Sequence, residues 1–278
     1  GVRQGLIRKS SLRTDLMNLL PVMFTLVCSV LFFVPAAAIL RVGRAPEVSY
    51  FMPQWVYVVL VVPAITCMAH LVHMHVKGPS KVAIGLGLGL PSAILLVCCV
   101  SLYFQADNLS RTLGSVDCGA TREKKHLQRA WEAAQKMYVG CLEETSKRDG
   151  YDVATLKKHF RLQDCAEYEK ALRAYREQAT LAGADAGRSG WRVSAAPSGF
   201  VEDWAYLRRL EESESCAGWC ARGDAIWTSG PGRDPCSVAV ATAFDLFVKP
   251  HAGEVSAVMI VVLFSTAAVL TLTGPVLR

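Results

Sequence analysis

Four apolar runs punctuate the chain: Leu19–Leu40, Trp55–Val76, Val82–Phe104 and Val255–Gly274, each free of Asp, Glu, Lys and Arg. At about 20 residues or a little more, each is long enough to carry a helix across a hydrocarbon layer roughly 30 Å thick. Lipid offers the backbone no hydrogen bonds, so such runs predict helices rather than strands. The large hydrophilic stretch falls between the third and fourth runs. The expected fold is an all-α membrane protein, a four-helix bundle with a disulfide-bonded helical domain between helices 3 and 4. Its expected divisions are 1–104 (N-terminus and crossings at about 19–40, 55–76 and 82–104), 105–251 (the insert) and 252–278 (last crossing and C-terminus).

Within the insert the periodicity is helical. Leu127, Ala130, Trp131, Ala134, Met137, Tyr138, Cys141 and Leu142 recur at three-four spacing, which predicts an amphipathic helix over 121–145. Gly150 stands where a left-handed C-cap belongs. Asp152 is expected to cap a second helix through Phe160, and a third is expected over 164–181 with Tyr168, Leu172 and Tyr175 on its buried stripe. Residues 183–199 read as a loop. Phe200, Trp204, Leu207 and Leu210 mark a fourth helix, 216–236 a cysteine-bounded loop, and 237–248 an apolar helix leading into the last crossing.

Charge decides orientation. The net charge of +6 resides outside the insert, which holds 21 Lys and Arg against 21 Asp and Glu. A basic surface for nucleic acid is therefore not expected. Arg3, Arg8, Lys9, Arg13, Lys77, Lys81 and Arg278 fall on one side of the membrane, and only Arg41 and Arg44 among short-loop cations fall on the other. The richer side is expected to be cytoplasmic, which sends the insert to the extracellular or lumenal side of a plasma or organelle membrane. Cys118, Cys141, Cys165, Cys216, Cys220 and Cys236 all lie in the insert, an even set in an oxidising compartment, so three disulfides are expected, with pairing left open among 15 connectivities.

Catalytic patterns are not conspicuous. His70, His73 and His75 form a dense group at the end of the second run, where meeting headgroups and water explains them better than metal does. Paired acids such as Glu143-Glu144 and Glu211-Glu212 read as solvated helix faces, and His126 and His159 as solvated too. No enzyme, cofactor or metal site is expected. Gly85-x-x-x-Gly89 predicts a close helix-packing face. Asn108-Leu109-Ser110 is a glycosylation sequon, and Arg222-Gly223-Asp224 reads as a chance turn tripeptide. Trp191, Trp219 and Trp227 lie in loop segments and are candidate partner contacts, since aromatics dominate binding hot spots.

The order of landmarks resembles that of the tetraspanins: a small first outer loop, a minimal inner turn and a large Cys-bearing outer loop before the last crossing. Asp203-Trp204, then Ser213-Glu214-Ser215-Cys216, then Cys236 follow the family's order, and Asn18 is similar to its intramembrane asparagine. The family's Cys-Cys-Gly is absent, and so are acidic or amide residues inside the third and fourth runs. The resemblance implies a non-enzymatic membrane scaffold whose partners are other integral membrane proteins; the lipid bilayer is a partner by virtue of the apolar runs, and lipid within the helix bundle is left open. The alternative is an accessory structural subunit of a large channel, respiratory or photosynthetic complex.

Overall fold

The computed structural model describes residues 40–52, 55–77, 80–182, 200–230 and 232–273, and single positions between 23 and 38. No strand occurs among the described residues. The chain divides into two compact units, 1–108 with 244–278, and 109–243.

In the first unit, α1 spans Trp55–Lys77 and α2 spans Lys81–Gly114. Ser80 caps α2, its hydroxyl accepting from the Ala83 N–H at 3.2 Å. Helix α2 outlasts the third apolar run, and the last helix, α6, starts at Cys236, well before the fourth. These two, Lys81–Gly114 with 34 residues and Cys236–Leu272 with 37, are long and apolar enough to cross a membrane. They expose Val82, Leu86, Val97, Phe104, Val261, Phe264 and Leu272, an apolar surface of the kind that suits a lipid environment. Hydroxyls on these helices bond their own backbone, Ser92 to the Leu88 carbonyl at 2.6 Å and Thr266 to that of Val262 at 2.7 Å. The described positions between 23 and 43 are helical as well.

Both long helices widen into a π turn, α2 at Gly85–Gly89 and α6 at Phe244–Val248. A proline explains each. Pro91 and Pro250 have no N–H for the carbonyl four residues back, Gly87 or Leu246, and their rings would collide with it. That carbonyl belongs to the middle residue of the π turn in both cases. Widening the turn by one residue relieves the collision, and the Leu90 N–H bonds the Gly85 carbonyl five residues back instead.

The widened segment of α2 packs against α1 and α6. A Cβ at Gly85 or Gly89 would meet none of the described residues within 4 Å. Gly87, on the other side of the helix, is the close-approach glycine, since a Cβ there would collide with the His70 ring. Farther along, Lys249 bridges α6 to α2 through Asp107 at 2.8 Å, pairs with Asp245 at 3.1 Å, and sits 5.8 Å from the centre of the Tyr103 ring.

The second unit is built on α3, Arg122–Asp149. Thr121 caps it by accepting from the Lys124 N–H, and Gly150 closes it at φ 71°, as expected. Its buried stripe is Leu127, Ala130, Trp131, Ala134, Tyr138, Cys141 and Leu142. Helices α4 (Ala166–Ala182) and α5 (Val201–Glu214) pack on it, and α5 also meets the opening turns of α6. The expected second helix does not reach Phe160. It shrinks to Val153–Leu156, and the Asp152 side chain makes no cap bond. None of its four residues is buried, so packing does not stabilise a longer helix. The expected loop 183–199, with Trp191, lies outside the described residues.

Candidate functional site

The six insert cysteines pair as Cys118–Cys220, Cys141–Cys165 and Cys216–Cys236, with Cα separations of 5.8, 5.8 and 5.0 Å. Those spans suit disulfides. Cys216 and Cys220 thus join different partners, which leaves the Cys216-x-x-x-Cys220 pair no free thiolates for zinc. Among the described residues no group of three or more His, Cys, Asp or Glu is placed to hold a metal.

Two of the three bridges end on the loop 216–236, and its backbone is tied as firmly. The Ala217 N–H donates to the Asp234 carbonyl at 3.0 Å, Cys236 to Gly218 at 2.9 Å and Gly223 to Ala217 at 3.1 Å. Gly218 takes φ 78°, where a side chain would be strained and would strike the Ala221 carbonyl. From the opposite side the Leu162 N–H donates to the Ile226 carbonyl at 2.8 Å.

Glu211 is the loop's central fastener. It is buried on α5 and accepts from three backbone N–H groups, Trp227 at 2.7 Å, Thr228 at 2.7 Å and Ile226 at 3.3 Å, and from the Thr228 hydroxyl at 3.1 Å. Burial raises its pKa above the ordinary carboxylate value, and those four donors pull it part of the way back. Folding therefore takes up a proton here. The contribution is full below the unfolded-state pKa and is lost as pH rises through the raised folded value. Glu211→Gln turns an amide N–H toward backbone donors and is expected to cost about 1–3 kcal/mol at neutral pH. Urea midpoints at neutral and mildly acid pH check both the loss and its sign, since the wild type alone should gain from this group on acidification.

Lys124 makes the complementary arrangement. Fully buried on α3, its Nζ donates to the Ser115 carbonyl at 2.5 Å, the Thr112 carbonyl at 3.0 Å and the Ser115 hydroxyl at 3.3 Å, closing the C-terminal end of α2. Burial pushes its pKa down, with Asp117 opposing. The carbonyls of the same helix serve as acceptors for indoles: Trp219 Nε1 donates to the Lys124 carbonyl at 2.9 Å and Trp204 Nε1 to that of Ala130 at 2.8 Å.

Trp219 and Trp227 are accordingly core residues, 0 % and 1 % exposed, and not the surface anchors that their loop position suggested. Glu211 and His126 also depart from expectation. The first is buried; the second pairs with the buried Asp203 carboxylate at 2.8 Å and stacks near Phe200. His159 is exposed, as expected. Asn108 lies within α2 rather than on a loop. The Arg222-Gly223-Asp224 tripeptide is held down, with Gly223 against Trp131 and Asp224 paired to Lys157 at 2.6 Å.

What the loop presents outward is polar. Ala221, Arg222, Asp224, Ser229, Arg233 and Asp234 are exposed, beside a depression of about 280 Å³ floored by Gly223 and Gly232 and edged by Lys157 and Thr228. A mixed-charge surface on a backbone this constrained can meet a partner without ordering itself first. Comparison with protein-family models, curated proteins and solved structures finds no match for the chain.

Proposed function

We propose that the chain is a four-crossing membrane scaffold whose 109–243 unit lies on the non-cytoplasmic side and binds other integral membrane proteins through the exposed face of the 216–236 loop. The observation that carries this reading is the pinning of that loop by two disulfides and by Glu211. A loop held so rigidly, with its aromatics turned inward and its charges outward, suits recognition more than packing. The charge asymmetry of the short loops supports the orientation, and the order of cysteine and Asp-Trp landmarks supports a tetraspanin-like role as a lateral organiser.

The reading is tested on the full chain in native membranes. Val116 is 93 % exposed in the 109–243 unit, so a Val116→Cys variant should react with a membrane-impermeant maleimide in intact cells. Labelling that requires permeabilisation would invert the topology. In mild detergent, partner proteins should co-purify substoichiometrically and be lost from Arg222→Glu/Arg233→Glu. A fixed stoichiometry untouched by that pair would indicate an accessory subunit instead.

A further inference from the structure

The segment between Asp152 and Asp164 contains three Lys or Arg and one His but no Asp or Glu, although the insert as a whole is balanced in charge. Short basic stretches of this kind commonly contact polyanions. Its centre, 157–161, is held as a fixed turn. Phe160 is buried with its ring centre 5.7 Å from that of Tyr138, the His159 N–H donates to the Leu156 carbonyl at 3.0 Å, and the Arg161 N–H donates to the Asp164 carboxylate at 2.9 Å. Lys157, Lys158, His159 and Arg161 are all exposed around that buried ring.

The turn borders the depression of about 280 Å³ on the 216–236 loop. Lys157 and Arg222 line it, and the Arg161 guanidinium donates to the Ser229 hydroxyl on its wall at 3.5 Å. Among the described residues Asp224 is the only carboxylate in that wall; its side chain is exposed and pairs with Lys157 at 2.6 Å. Three cations thus meet one anion. Thr228 and Ser229 add hydroxyls, and Ala225 supplies the only apolar side chain among the described lining residues. The floor is backbone packed on the core, Gly223 against Trp131 and Gly232 against Ala217. Protein partners bind mainly through large apolar or aromatic anchors seated in pockets, and this wall would not hold one. Cations, hydroxyls and bare backbone suit a sugar ring that carries anionic groups.

We propose that the 157–161 turn and the adjoining depression bind a sulfated polysaccharide chain. One sulfate sits between Lys157 and Arg222, next to the hydroxyls of Thr228 and Ser229, and the chain continues over the exposed cations of the turn. The membrane proteins gathered by the 216–236 loop are then those that carry such chains. In that respect the inference deepens the scaffold reading, and it rests on that reading for the side of the membrane, since sulfated polysaccharides lie outside the cytoplasm. The binding step itself needs only the fold of the 109–243 unit.

The test uses the full chain in non-ionic detergent, with biolayer interferometry against an immobilised heparin-derived hexasaccharide, its desulfated counterpart and a glutamate-rich peptide of equal charge. The sulfated sugar should bind, more weakly as salt rises, and the desulfated one should not. Lys157→Gln/Arg222→Gln should weaken binding about tenfold or more, the scale of one lost bond to a charged group. Arg129→Gln/Lys136→Gln removes the same charge from exposed positions on α3 outside the depression, and should change binding by no more than about twofold, because exposed charges act weakly beyond a Debye length. All four positions are exposed, so both double variants keep the fold. No binding of the sulfated sugar, equal binding of the desulfated one, or equal losses in the two double variants overturns the proposal. Binding of the peptide as tight as that of the sugar assigns the patch to an acidic protein and overturns the polysaccharide as its ligand. Failure of the scaffold reading shows instead in the maleimide labelling and the co-purification, neither of which enters this measurement.

Discussion

Replacing Cys118 and Cys220 together by alanine is expected to lower the stability of the 109–243 unit by about 4–5 kcal/mol, against the roughly 5–15 kcal/mol that a typical domain has. The bridge closes 102 residues, against 24 for Cys141–Cys165 and 20 for Cys216–Cys236. Loop-closure entropy predicts about 3 kcal/mol for each of the shorter two. The longest bridge also joins the start of the unit, just after α2, to the pinned loop, so its loss frees the ends of both. Urea unfolding of the full chain in detergent, followed through the fluorescence of the buried Trp204, Trp219 and Trp227, ranks the three double variants. Equal losses for all three would show that loop length does not govern this unit.

The second large effect is expected at Lys124. Lys124→Met keeps the aliphatic stem and removes the ammonium, leaving the Thr112 and Ser115 carbonyls without the donor that closes the end of α2. The Thr112 carbonyl keeps the Ser115 hydroxyl as a donor at 2.7 Å, so the loss falls mainly on the charge-assisted bond to the half-buried Ser115 carbonyl, and about 1–3 kcal/mol is expected. The neighbouring Lys125 is exposed, and Lys125→Met should stay within about 0.5 kcal/mol. A comparable loss from both variants would mean that general charge, and not this capping geometry, explains the effect.

Lys124 and Glu211 show where sequence reading reached and where it stopped. Lys124, Leu127, Trp131 and Ala134 share one helical stripe, and so do Trp204, Leu207 and Glu211. The spacing that announced the helices therefore placed both charges on the buried face. They were passed over because a lone charge is ordinarily solvated, and their compensation comes from far along the chain: Glu211 from residues 226–228, Lys124 from residues 112–115. Helix α3, with its Gly150 cap, was legible because every signal involved is local. The disulfide pairing was not, since it depends on tertiary approach. Trp219 and Trp227 stayed open between partner contact and core for a related reason, as an irregular loop carries no period from which to tell inside from outside. The close approach of Gly87 to His70 was not legible because motif spacing assumes an α-helix, and Pro91 prevents one there.

That last point has a geometric consequence for both long helices. A π turn holds one residue more than the α turn it replaces, and one α-helical residue corresponds to about 100° of rotation about the axis. Beyond Gly89, and again beyond Val248, the side chains are therefore out of phase with any wheel drawn from the start of the helix. The flank that α2 offers a neighbour near Cys99 and Leu102 is thus fixed by the proline at position 91, and counting from Lys81 would assign that flank to the wrong side.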